Sequence, residues 1–119
     1  MLIGKLSELT CVSRKAIRHY ESIDLIPSPE RIGSYRNYSE DYIPILKLIK
    51  QAQLVGFSLS ELREVVSKKS EDHEFPVKLA CELIDKKLFD INLEVDRLNQ
   101  MSIKLEELKE GLEITFKNT

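Results

Sequence analysis

Val12-Ser13-Arg14-Lys15-Ala16-Ile17-Arg18-His19-Tyr20-Glu21-Ser22-Ile23-Asp24-Leu25-Ile26-Pro27 is the stretch on which the fold turns. Ser13 is a good N-cap, and Arg14 to Ile23 reads as one short helix. On a helical wheel Ala16, Ile17, Tyr20 and Ile23 cluster on one side, with Arg14, Lys15, Arg18 and Ser22 on the other. Asp24 and then Pro27 and Pro29 end the helix, because proline lacks an amide donor and disfavours helical geometry in the residue before it. A helix that buries an aliphatic face and turns three cations outward suits a recognition helix in a DNA major groove, where Arg and Lys reach guanine edges or phosphates. An ordinary solvated face has the same pattern, so the flanking segments decide.

Upstream, Ile3, Leu6 and Leu9 have helical spacing that Thr10-Cys11-Val12 breaks, giving two short helices joined by a tight turn. Downstream, Arg31-Ile32-Gly33-Ser34-Tyr35-Arg36-Asn37-Tyr38 alternates around a Gly-Ser turn and reads as a small hairpin, a candidate wing. Arg31, Tyr35, Arg36 and Tyr38 would add cationic and hydroxyl donors beside the helix, which favours the DNA reading. A third helix is expected from Asp41 to Leu54, with Ile45, Leu46, Leu48 and Ile49 inward. With Asp41 as N-cap, Pro44 falls in the first turn, where its missing N–H removes no intrahelical bond. Gly56 ends that helix, and Ser58-Leu59-Ser60-Glu61 is a capping box opening a fourth, through about Val66.

A charged stretch from Ser67 to Glu74 follows, and Pro76 starts the last element. Val77, Cys81, Ile84, Leu88, Ile91, Val95, Leu98, Ser102, Leu105, Lys109 and Leu112 are spaced alternately four and three apart, which is one seam of a coiled coil. Four short helices cannot cover so long a seam, so a second copy is the expected partner, with Ile84, Leu88, Ile91, Val95, Leu98 and Leu105 at the contact. The alternative is a helix folded back on its own domain. The expected organisation is therefore a mainly α chain: a winged helix-turn-helix domain over residues 1–70, a linker at 71–75, a coiled-coil dimerisation helix at 76–113 and a short tail at 114–119.

Composition agrees with a folded chain of this size: 119 residues, 42% hydrophobic and 32% charged. The net charge of −2 hides an asymmetry, since residues 1–60 carry eight Lys/Arg against six Asp/Glu and residues 61–119 carry ten against fourteen. Arg14, Lys15, Arg18, Arg31 and Arg36 form the local positive footprint that phosphate contacts need. The opening segment lacks the long apolar core of a signal peptide and no later stretch has the length of a membrane span, so the chain is expected in the cytoplasm. Cys11 and Cys81, seventy positions apart, fit neither a disulfide framework nor a zinc knuckle, and reduced thiols are expected.

Ile3-Gly4, the Val12-Ser13 turn, Ile17-Arg18-His19-Tyr20-Glu21, Leu25-Ile26-Pro27, Tyr35-Arg36-Asn37-Tyr38-Ser39 and Gly56-Phe57-Ser58-Leu59 together resemble the DNA-binding domain of the MerR (mercury-resistance-type) family over residues 3–66. The resemblance implies a bacterial regulator whose homodimer, held by an antiparallel coiled coil, binds double-stranded promoter DNA and distorts it, often to realign promoter elements for RNA polymerase. By position it assigns Ser13, Arg14 and Arg18 to the recognition helix and Arg31, Tyr35 and Arg36 to the wing. Lys15, His19, Tyr20 and Tyr38 complete the candidate DNA surface. Two family glycines are replaced, by Cys11 in the turn and Asp24 after the recognition helix. Both are expected in left-handed geometry, which Asp tolerates better than Cys.

Metal-sensing relatives place one cysteine early in the dimer helix and more in a loop after it. Cys81 fits the first position, but residues 114–119 supply no thiol or imidazole. Even with His73 the donor count falls below the three or four of a closed soft-metal site, so no metal and no cofactor is expected. Cys81 remains a candidate sensor thiol. No Ser-His-Asp constellation or metal-hydrolase motif appears, so no catalytic residue is expected. The competing readings are a coiled-coil adaptor using the helix-turn-helix as a protein-binding surface, which loss of Arg14, Arg18 and Arg36 would favour, and a recombination directionality factor, which usually lacks a long dimer helix.

Overall fold

The computed structural model describes residues 1–67 and 76–117. Its elements are α1 (Ile3–Thr10), α2 (Arg14–Ser22), β1 (Glu30–Ile32), β2 (Tyr35–Asn37), α3 (Tyr42–Leu54), α4 (Leu59–Ser67) and α5 (Val77–Phe116). They divide into two compact units, Met1–Pro76 and Val77–Thr119.

In the first unit the turn between α1 and α2 is made by side chains as much as by backbone. The Thr10 hydroxyl donates to the Leu6 carbonyl at 2.8 Å, and the Ser7 hydroxyl donates to the Val12 carbonyl at 2.6 Å. Cys11 stops α1 in left-handed geometry, φ 58°. Ser13 is extended (φ −64°, ψ 152°), and its hydroxyl oxygen accepts the Ala16 N–H at 3.0 Å. The N-cap read from the sequence is thus made. Asp24, φ 59°, is the second left-handed non-glycine residue, just beyond α2.

Leu6, Val12, Ile17, Tyr20, Leu25, Ile26, Tyr38, Tyr42, Leu46 and Ile49 form the core, with Ala16 and Ile23 packed against it. The aliphatic face of α2 is therefore the buried one. Ile17, fully buried, contributes roughly 1.5–3 kcal/mol by leaving water.

Helix α3 differs from expectation on its inner face. Leu46 and Ile49 are inside, but Ile45 is 38% and Leu48 58% exposed, and Tyr42 is buried instead. The buried stripe runs at i, i+4 and i+7 from Tyr42, and Ile45 and Leu48 are rotated off it. Apolar residues surround much of α3, so the wheel alone could not choose the side. Asp41 does precede the helix, yet it makes no side-chain cap and is itself helical in dihedral (φ −60°, ψ −23°). Tyr42 and Ile43 instead donate to the carbonyls of Ser39 and Glu40, a tight first turn that needs nothing from Pro44. The capping box of α4 is reciprocal: Ser58 N–H donates to Glu61 Oε1 and Glu61 N–H to Ser58 Oγ, both at 3.1 Å.

The hairpin pairs Glu30 with Asn37, Arg31 with Arg36 and Ile32 with Tyr35, antiparallel, around Gly33 at φ 63°. Glycine takes that left-handed geometry at no steric cost.

The second unit is the single helix α5, 40 residues long and so roughly 60 Å. It has no buried residue; Ile84, Leu88, Ile91, Val95, Leu98 and Leu105 are each between 46% and 62% exposed. The helix continues to Phe116, so residues 114–116, expected as tail, are its last turn. The linker expected at 71–75, with His73, lies outside the described residues. Among the described residues no helix is long and apolar enough to cross a membrane.

Candidate nucleic-acid interface

The face of α2 opposite the core carries Arg14, Lys15, Arg18 and His19, all exposed. Arg14 and Arg18 are one helical turn apart and line one open groove with Lys5 of α1 and Ser34, Tyr35 and Arg36 of the hairpin. Helix start, recognition-helix face and wing tip thus converge on one surface where Lys5, Arg14, Arg18 and Arg36 outnumber the single carboxylate Glu8. Ser13, Lys15, His19 and Arg31 are exposed but lie outside the lining of this groove.

The wing is tied to α2 through Glu21. Glu21 is buried, and its Oε2 lies 3.2 Å from Arg36 and accepts the Tyr38 hydroxyl at 3.0 Å. Arg36 and Tyr38 are two residues apart, so the alternation of an extended chain points both to the same side. Burial, and then the hydrogen bond to Glu21 and its charge, push the Tyr38 phenol up to about 12. It therefore remains a neutral donor throughout the physiological range. The Tyr42 ring stands edge-on to Tyr38, centroids 5.2 Å apart at 89°, and its hydroxyl donates to the Pro27 carbonyl at 2.8 Å.

Two residues expected on the DNA surface are not there. Tyr38 is 1% exposed, and Tyr20 is 7% exposed with its hydroxyl donating to Gln53 Oε1 at 2.9 Å. Both phenols are spent inside the domain, Tyr20 joining α2 to α3 and Tyr38 the hairpin to α2. Tyr35, by contrast, is 68% exposed at the wing tip.

Lys5 is the residue sequence reasoning missed. Its position between the inward Ile3 and Leu6 marks it as outward on α1, but its place beside Arg14 and Arg18 follows only from how α1 and α2 cross. Cys11 and Cys81 are both exposed free thiols. Among the described residues no group of three His, Cys, Asp or Glu is arranged to hold a metal ion.

A family model described as "MerR HTH family regulatory protein" matches residues 1–69, and one described as "MerR, DNA binding" matches residues 44–108. The chain is 36% identical to the HTH-type transcriptional regulator CueR of Yersinia pestis, over 92% of this chain and 79% of that protein. It is 33% identical to a mercuric resistance operon regulatory protein of Bacillus cereus, over 91% and 82%. In fold it is similar to a lead(II)-bound transcription regulator of Ralstonia metallidurans, with a TM-score of 0.66 at 24% identity, covering 92% of this chain and 86% of that one. The helix-turn-helix, the hairpin and the 40-residue α5 fit these matches, and the chain belongs to the MerR family of DNA-binding, helix-turn-helix transcription regulators, which are not enzymes.

Proposed function

We propose that this regulator binds specific promoter DNA as a homodimer in the bacterial cytoplasm, and distorts that DNA so that RNA polymerase can use or be denied the promoter. The observation that carries the reading is the groove that gathers Arg14, Arg18, Arg36 and Lys5 between recognition helix and wing. Arg14 and Arg18 enter the major groove; Lys5 and the wing residues Arg31, Tyr35 and Arg36 grip the flanking backbone. Lys15 and His19 add phosphate contacts at the margin, and Ser13 serves through its cap by fixing where α2 begins.

The homodimer forms through the α5 seam of Ile84, Leu88, Ile91, Val95, Leu98 and Leu105, paired antiparallel. Each of these is about half exposed in one chain, and a second copy supplies the complementary apolar face. The relative named for mercuric resistance and the single thiol on α5, Cys81, direct the search for an effector to thiol-reactive agents. The test is a gel shift against the promoter of the chain's own transcription unit, run over a salt series. Specific retention that weakens steeply with salt supports the reading; no specific site recovered among genomic fragments overturns it.

A further inference from the structure

Gly4 lies in the first turn of α1, a place where glycine is a poor choice. It has an ordinary helical backbone, and alanine in a helix is favoured over glycine by roughly 0.5–1 kcal/mol. Space explains the residue. A Cβ added at Gly4 would stand 2.7 Å from the terminal nitrogen Nη2 of Arg14 and 3.2 Å from its guanidinium carbon. The end of the Arg14 side chain thus lies across α1 at the position where a side chain is missing.

No hydrogen bond or ion pair of Arg14 occurs among the described residues. Glu8, one turn beyond Gly4 on α1, lines the same groove but forms no ion pair with Arg14. With no direct partner on its guanidinium, the place of this long flexible side chain depends on the space left at Gly4. Gly4 and Arg14 line the same groove as Arg18, Tyr35 and Arg36, so the direction Gly4 allows is toward the proposed DNA surface.

We infer that Gly4 is a positioning residue for DNA recognition: its missing Cβ is the seat on which the Arg14 guanidinium rests, and so sets where the first cation of the recognition helix meets the duplex. The inference rests on the DNA-binding role proposed for Arg14. The contact that a Cβ would violate is the far end of a flexible side chain and not backbone, so the domain accommodates alanine while Arg14 moves.

The test is a double-mutant cycle of Gly4→Ala and Arg14→Ala, read on the full chain by thermal unfolding and by specific DNA binding. Gly4→Ala should unfold at an equal or higher temperature, as helix propensity directs. It should nevertheless bind its specific site roughly tenfold more weakly, the loss expected when one well-placed contact is misset. In the Arg14→Ala background the same glycine substitution should leave DNA affinity unchanged. Gly4→Ala binding as well as wild type, while Arg14→Ala loses affinity, overturns the inference alone. An equal loss from Gly4→Ala with and without Arg14 also overturns it, because Gly4 then acts by another route. Arg14→Ala with undiminished affinity removes the DNA role of Arg14 itself, and the inference with it.

Discussion

Glu21 Oε2 lies 3.2 Å from the Arg36 guanidinium, joining the recognition helix to the wing across the edge of the hydrophobic core. The two side chains differ in environment: 7% of the carboxylate side chain is exposed against 36% of the arginine. The charge of Glu21 is thus the one taken out of water, with Arg36 and Tyr38 as its compensation. Arg36 consequently has two duties, inside toward Glu21 and outside toward the groove. In the hairpin register it also stands opposite Arg31, and the Glu21 carboxylate offsets that like-charge pairing.

Stability should fall in alkali through Tyr38. Its pKa in the folded domain, about 12, lies above the ordinary tyrosine value of 10.0. The contribution is complete below pH 10, where folded and unfolded phenols are both protonated. It is lost between pH 10 and 12, where only the unfolded phenol ionises. The loss is on the order of 3 kcal/mol, the interval from 10.0 to about 12 counting about 1.4 kcal/mol per pH unit. Tyr20 and Tyr42, also raised by burial, add in the same direction. Urea unfolding midpoints between pH 8 and 12 should decline for wild type and decline less for Tyr38→Phe; parallel curves would dismiss the Tyr38 contribution.

Arg18→Ala and Arg36→Ala should fail differently. Arg18 is exposed and makes no ion pair among the described residues, so its loss should leave unfolding unchanged and weaken specific DNA binding by about 1–3 kcal/mol if the guanidinium reads a base. An equal loss on every sequence assigns it to phosphate. Arg36→Ala leaves Glu21 buried with Tyr38 alone, and should also destabilise the domain by about 1–2 kcal/mol, a figure discounted for the solvent around Arg36. Chemical unfolding run beside DNA titration separates the two; an Arg36→Ala domain as stable as wild type would deny the structural role of the ion pair.

Cys11→Gly should stabilise the domain by about 1 kcal/mol, because a Cβ in left-handed geometry is strained and glycine relieves it. Asp24→Gly should gain less, since the short polar side chain of aspartate tolerates that region. Comparing the two urea midpoints checks the order. A destabilised Cys11→Gly would mean that the thiol makes a contribution larger than the strain.

Those two positions show how much the sequence revealed. The family resemblance marked Cys11 and Asp24 as glycine replacements, and both have φ near 60°. Two of the three expected caps were equally legible, because Ser13 and the Ser58–Glu61 box act on neighbours a few residues away, whereas Asp41 makes no side-chain cap. Long-range consequences were not. Tyr38 bears a hydroxyl that resembles a surface donor until Glu21, 17 residues distant, is brought to it, and Tyr20, which the helical wheel already put on the buried face, finds its partner Gln53 33 residues away. Ile45 and Leu48 looked like core because α3 has more apolar side chains than one buried stripe holds. Lys5 and Gly4 acquire their relation to α2 only from the crossing of two helices.

Ile91→Asp should abolish the dimer. It places a carboxylate near the middle of the α5 seam, where pairing would strip it of water while removing an apolar contact, together a cost of several kcal/mol. Light scattering should find a monomer, and specific DNA affinity should drop with it. An intact dimer would eliminate the seam as the interface.

Cys81 provides the last prediction, because its exposure should change with assembly. In one chain it is exposed, as is Cys11 in the turn of the other unit. If two α5 helices pair antiparallel about Val95 to Arg97, Cys81 faces the other copy's helix end near Leu112, an apolar setting in which a thiol acts as a small hydrophobe. Limited alkylation followed by mass spectrometry should therefore modify Cys11 first and Cys81 slowly in the dimer. Ile91→Asp should bring Cys81 to the rate of Cys11. Cys81→Ala should then keep the dimer, DNA affinity and promoter response, since it removes only a sulfur atom from the seam. A Cys81 that reacts in the native dimer as fast as Cys11 would instead be a thiol on display. If Cys81→Ala and Cys81→Ser then still bind DNA but no longer respond to oxidant at the promoter, oxidation at that position is the signal, adding polar bulk between the paired helices and shifting the DNA-binding units they hold.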